Sequence, residues 1–205
     1  MGKGKVIPFP GLYQKFSGEE NIKLLSSENL EQQWMAVQQL KRSDFSKSEL
    51  NACKQFLRKE KNSPFVKSAL LQILKEREIE ESVLVNKFGQ EMTVRPRELP
   101  DVGEDHLFSA VRHCLGRMLE PENPTFYEMA LELWEHFMFA MFPFPVLPRR
   151  ENVWAGAVHE VVFFMNGIAM NERNMAETYQ IAESELKKAV EKIKTVEDTA
   201  FHLGG

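Results

Sequence analysis

His159 opens the pentapeptide HEVVF, and a histidine followed by a glutamate on a helix is half of a zinc-protease signature. That signature needs histidines at its first and fifth positions, so that two imidazoles meet on one helix face. Here the fifth residue is Phe163, and one ligand does not make a site. The remaining histidines, His106, His113, His136 and His202, show no metal-ligand spacing. Glu132, Glu135 and His136 lack the Glu-x-x-His arrangement of di-iron bundles. Cys53 and Cys114 are far apart, without a CxxC, and both fall on apolar faces of predicted helices. They read as small buried hydrophobes. Phosphate-cradling glycine loops and a GxSxG nucleophile elbow are missing from the sequence. The residues therefore assign no catalytic, cofactor-binding or metal-ligating role, and the expectation is a protein that is not an enzyme and needs no cofactor.

Non-covalent recognition has two candidate sites. The tract Phe142-Pro-Phe-Pro-Val-Leu-Pro148 is extended by its prolines. Phe142 and Phe144, with Arg149 and Arg150 directly after, are the residues by which it would hold a protein partner. The second candidate lies in 171–194, where Met175, Ala176, Tyr179, Ile181 and Leu186 occupy the buried positions of a helix-turn-helix-like unit. Lys187, Lys188, Lys192 and Lys194 would touch a nucleic-acid backbone. Two features oppose that use. Gln180, a helix-compatible residue, stands where the turn favours glycine, and the second helix opens on Ala182, Glu183, Ser184 and Glu185. Carboxylates there repel phosphate and suit the positive end of a helix dipole.

Charge points the same way. Residues 1–81 hold 14 Lys and Arg against 11 Asp and Glu, residues 82–150 hold 7 against 10, and residues 151–205 hold 5 against 9. A nucleic-acid binder concentrates positive charge where it meets phosphate; the C-terminal third does the reverse.

The elements that must position these residues are mostly helical. Residues 28–42 place Leu30, Trp34, Val37 and the Lys41 stem on one face, with Gln and Glu opposite. Ser46 and Glu49 form a capping box for a second helix carrying Leu50, Cys53, Phe56 and Leu57 inward. Ser63-Pro64 opens a third. Alternation around Lys87-Phe88-Gly89-Gln90 predicts a β-hairpin over 82–94, which must lie against helices. Pro96 and Pro100 mark a boundary. A helix follows over about 104–119, then a long one from Asn123-Pro124, then one capped by Asn152 and ended by Gly167. The helix over 124–142 is apolar on most of its circumference, with Phe126, Ala130, Trp134, Phe137 and Met141 in one stripe. Such a rod belongs at the centre of a helical domain. Five methionines between Met129 and Met170 read as core filling.

The stretches KVIPFPGLYQKF, SPFVKSALLQILKE, KFGQEMTV with Pro96 and ELP, NPTFYEMALELW, PFP and WAGAVHEVV resemble a group of tetratricopeptide-repeat-containing proteins of Gram-positive bacteria. The resemblance covers about residues 60–195 and the N-terminal arm. It implies an α-α superhelical, protein-binding molecule and carries over no reaction. The sequence departs from that pattern in 18–60, where repeat units are expected. The C-terminal part is also similar to the cyclin-like domains of general transcription factors, in which a WAxA-type helix precedes a similar unit.

The expected fold is all-α: an α-α superhelix or repeat-like array with one small β-hairpin and a C-terminal helix-turn-helix-like unit. Its parts are an arm over 1–27, an amphipathic array over 28–100, and a C-terminal helical domain over 101–205. The arm's FPGLYQKF segment is aromatic enough to dock, and FHLGG reads as a frayed end. The Met-Gly start has Val6 where myristoylation needs Ser or Thr, no secretory h-region follows it, and no window is long enough for a membrane span. The expected function is a cytoplasmic protein-interaction module, whose partner is another protein or a second copy; nucleic-acid regulation is the alternative.

Overall fold

A computed structural model describes residues 16–42, 44 and 46–202. Most of the FPGLYQKF segment and the last three residues of FHLGG lie outside the described residues. Among the described residues the chain is all-α, with one two-stranded antiparallel sheet.

The helices begin where side chains satisfy the free N–H groups of a first turn. Ser17 and Glu20 form a capping box for α1 (Gly18–Leu25), and Ser46 and Glu49 do so for α3 (Lys47–Arg58). Between them α2 spans Leu30–Arg42. Ser63 caps α4 (Pro64–Glu76). The structure differs from expectation at α1: the span assigned to an arm holds a helix, signalled by the same Ser-x-x-Glu pattern read correctly at Ser46. The inward face of α2 also differs, since it carries Gln33, Ala36, Val37 and Leu40. Gln33 therefore lies inside and not on the wet face.

The hairpin pairs β1 (Val83–Lys87) with β2 (Gln90–Val94), Val83 opposite Val94 and Lys87 opposite Gln90. Phe88 and Gly89 turn with φ of 52° and 70°, the left-handed geometry a two-residue hairpin requires. Alternation along β1 sends Val83, Val85 and Lys87 to one buried face.

Past two short 3-10 turns come α5 (His106–Met118), α6 (Pro124–Met141), α7 (Glu151–Met165), α8 (Glu172–Tyr179) and α9 (Glu183–His202). The α6 rod packs against α4, α5, α7 and α9, and α7 against α5, α6, α8 and α9. Trp134, Phe137 and Trp154 meet between α6 and α7, with ring centroids 5.2–6.0 Å apart. One apolar core runs without a break from Leu25 to Val196. Asn152 does not cap α7: that helix begins at Glu151, with Arg150 at the cap position and no side-chain cap bond. Asn152 Oδ1 instead accepts a bond from Cys114 Sγ at 3.5 Å. Gly156 has no Cβ because one would meet the Tyr179 ring at 3.2 Å, so glycine sets how closely α8 approaches α7.

Candidate interaction surface

The aromatic-proline tract turns inward. Phe142 and Phe144 are buried in the core. Arg149 donates to both carboxylate oxygens of Asp105, at 2.9 and 2.6 Å. Arg149 holds the Asp105 carboxyl below its ordinary range. Arg150 pairs with Glu185 at 2.5 Å. Of the four residues expected to meet a partner, the two phenylalanines are buried and the two arginines make internal contacts across 44 and 35 residues of chain.

The second candidate set is also largely engaged. Lys187 pairs with Glu172 at 2.8 Å, Lys192 lies half-buried near the Trp154 ring, and Lys194 Nζ sits 3.9 Å from the Phe164 ring centroid. Lys188 is exposed. The turn residue Gln180 adopts φ 53°, ψ 50°, so it takes the left-handed conformation that sequence reasoning reserves for glycine. Glu185 caps Ala182 N, which places its carboxylate at the start of α9.

His159, the first residue of HEVVF, is buried, with Nδ1 bonded to Tyr179 Oη at 2.9 Å. Its Nε2 has no hydrogen-bond partner among the described residues. Burial pushes the imidazole down to about 4. The unfolded chain therefore binds a proton near 6.5 that the folded chain refuses until about 4. Stability from this group is present above pH 6.5 and is lost as pH falls through that window, up to about 3 kcal/mol. His159→Gln is expected to flatten the slope of unfolding free energy against pH between 4 and 6.5, measured by urea denaturation.

Two buried lysines tie the hairpin to the helices, Lys87 to the end of α6 and Lys67 from α4. Lys87 Nζ donates to Ser68 Oγ at 2.6 Å, Ala140 O at 2.9 Å and Phe142 O at 2.5 Å. Lys67 Nζ donates to Asn86 O at 2.5 Å and Glu60 O at 3.2 Å. The carbonyls on Lys87 are those of the last turn of α6, which have no partner inside the helix. Burial, and then the Lys67 ammonium, pull Lys87 well below lysine's ordinary value. The negative end of α6 opposes that shift.

A different face carries exposed apolar surface. Phe164 is 64% exposed, Met165 56%, Ile168 37% and Met170 37%. All four lie within seven residues at the end of α7 and in the turn after it. Gly167, with φ of 72°, ends the helix there and lets the chain fold back. Glu160 is one turn earlier on α7 and is held above the ordinary carboxylate range by burial. Lys194, Lys187 and Glu172 border the same face. A small apolar centre with a rim of both charge signs is what a protein partner can cover.

No family model matches the chain, and no solved structure matches it. The tetratricopeptide-repeat-containing protein YsoA of Bacillus subtilis (strain 168) is 28% identical over 138 residues. The match covers 67% of this chain and 41% of YsoA, so the chain spans less than half of that relative's length. The chain is similar to a Gram-positive tetratricopeptide-repeat-containing protein. It is TPR-like in this sense and all-α. None of the described helices is long and apolar enough to cross a membrane.

Proposed function

We propose that the protein is a cytoplasmic, non-enzymatic helical module that binds another protein through the surface at the end of α7. The observation that carries this reading is the cluster of Phe164, Met165, Ile168 and Met170 in solvent. Leaving four large apolar side chains wet on one turn forgoes the stabilisation that burial supplies, and a partner restores it. The similarity to a tetratricopeptide-repeat-containing protein supports a protein as that partner. Phe142, Phe144, Arg149 and Arg150 define the competing placement; using it requires two phenylalanines to leave the core.

The double variant Phe164→Ser/Ile168→Ser changes exposed positions and is expected to melt as wild type does. In a tagged pull-down from the native cytoplasm, quantified by mass spectrometry, it should recover its partner at least about tenfold less, a loss of about 1.4 kcal/mol. Undiminished recovery would remove the surface from consideration. Sedimentation of both proteins tests the self-association reading, in which the partner is a second copy. The nucleic-acid alternative, through Lys187, Lys188, Lys192 and Lys194, predicts salt-dependent heparin retention abolished by Lys187→Glu/Lys188→Glu.

A further inference from the structure

The outer edge of the hairpin is open. β2 pairs with β1 on one side only; Gln90, Glu91 and Thr93 are exposed, and Met92 and Val94 are half-buried. The register fixes which backbone groups face outward. A two-residue turn closes on a hydrogen-bonded pair, here Lys87 with Gln90, and bonded and non-bonded pairs alternate from there. Val85–Met92 and Val83–Val94 are therefore bonded, whereas the N–H and C=O groups of Asn86–Glu91 and Leu84–Thr93 point away from each other. Asn86 O is accordingly free to accept from Lys67 Nζ, 2.5 Å away. On β2 the N–H and C=O of Glu91 and Thr93 face the open side, and they bond to nothing else among the described residues.

These four groups are placed symmetrically about Met92, and that symmetry selects the occupant. A second copy of β2, laid antiparallel about a twofold axis between the two Met92 residues, sets Glu91 opposite Thr93 of the other copy at both ends. Each such pair exchanges two hydrogen bonds, so all four groups on each strand are used. Glu91, the one charge on the strand, then faces a threonine and not its own image. Its carboxylate is held towards β1 by Asn86 Nδ2 at 3.0 Å. The two Met92 side chains meet at the closer, non-bonded spacing. They join Val85 of each copy into one apolar row across four strands. Proline, lysine and a bulge, which blunt a sheet edge, are missing from Gln90–Val94. The lengths match as well: the turn limits β2 at one end and Pro96 at the other, so the open edge is as short as the strand that would fill it.

We propose that two copies of this chain associate by pairing their β2 strands antiparallel, with Met92 at the twofold axis, into one four-stranded sheet. The contact uses no residue of the α7 surface, so the two claims stand or fall separately.

A contact this short makes a weak dimer, so sedimentation equilibrium of the full chain is read as a concentration series. The mass should rise from one copy to two, and Thr93→Pro should weaken the association at least about tenfold. Proline at 93 removes an N–H that the hairpin itself does not use, so β1–β2 pairing survives. Cysteine reads the register. Met92→Cys should give a covalent dimer on mild oxidation, since the facing Cα atoms are about 4.5 Å apart. Glu91→Cys, at a more exposed position, should not. If Thr93→Pro does not fold, the two cysteine variants decide. Phe164→Ser/Ile168→Ser should dimerise as wild type does. A monomer at every concentration, as when another segment or another protein's strand covers the edge, would overturn the proposal. So would a dimer indifferent to Thr93→Pro, a dimer lost with the α7 variant, or cross-linking from position 91 as readily as from 92.

Discussion

Replacing Lys87 with methionine is expected to lower the unfolding free energy by about 3 kcal/mol, read from urea denaturation at pH 7. The volume is nearly kept, so the loss comes from the three acceptors of Lys87, Ser68 Oγ on α4 and the Ala140 and Phe142 carbonyls at the end of α6, of which Phe142 O keeps a second donor in Ser68 Oγ. Each buried acceptor left without a donor costs about 1–3 kcal/mol, and part of that is offset because a desolvated ammonium is removed. Lys87→Ala adds a cavity and should cost about 1–2 kcal/mol more. A methionine variant as stable as wild type would mean that the cage is incidental.

The lysine pair also has a pH signature. Burial lowers Lys67 to about 8, while the unfolded chain keeps lysine's ordinary value of 10.5. Between those values the unfolded state binds the extra proton, so this group's contribution to stability rises with pH. Lys67 therefore penalises the fold below pH 8 and ceases to do so as pH climbs towards 10.5. Cys53, raised to about 12 by burial, acts in the opposite sense above pH 9. The difference between wild type and Lys67→Met isolates the lysine: it should change across pH 8–10.5 and be flat below.

Trp134→Ala should be the most damaging single change in the core, at about 4 kcal/mol or more. Trp134 is fully buried, stacks near Phe137 and Trp154, and donates its indole N–H to Phe108 O at 3.1 Å. Truncation empties the junction of α5, α6 and α7 and leaves that carbonyl without its indole donor. Against a typical total of about 5–15 kcal/mol, such a loss brings the protein close to unfolding. Trp134→Phe keeps most of the volume and should cost about half as much. Thermal melts followed by near-ultraviolet dichroism would rank the two; equal melts for wild type and the alanine variant would contradict the α6-centred core.

Local signals were legible where a few neighbouring residues decide the outcome. Ser46 with Glu49, Ser63 with Pro64, and Asn123 with Pro124 each satisfy a helix N-terminus without help from elsewhere, and all three caps are present. The hairpin was legible for the same reason, since its alternation and its Phe88-Gly89 turn are short-range. Ser17 with Glu20 sent the same signal and was hidden only by the Gly- and Pro-rich residues before it. Asn152 looked like a cap by composition, but Cys114 on another helix claims its side chain.

Features that depend on tertiary neighbours were not legible. Lys87 reads as a wet turn residue until the end of α6 offers it two carbonyls and α4 the Ser68 hydroxyl. The proline tract presents two phenylalanines whose direction depends on which helices lie beneath them, and these bury both. Phe164 and Met165 continue the same apolar run as Val161 and Val162. A helix apolar all round carries no periodic mark of the side that lacks a neighbour. Only the folded structure shows that Phe164 and Met165 face water while Val161 and Val162 do not.

Site-specific photo-crosslinking in living cells is the most direct measurement of the binding claim. A benzophenone amino acid in place of Met165 should give one discrete heavier adduct on irradiation, and the same group in place of exposed Lys188 should not. No adduct from position 165, or the same adduct from both positions, would contradict a partner seated on the end of α7.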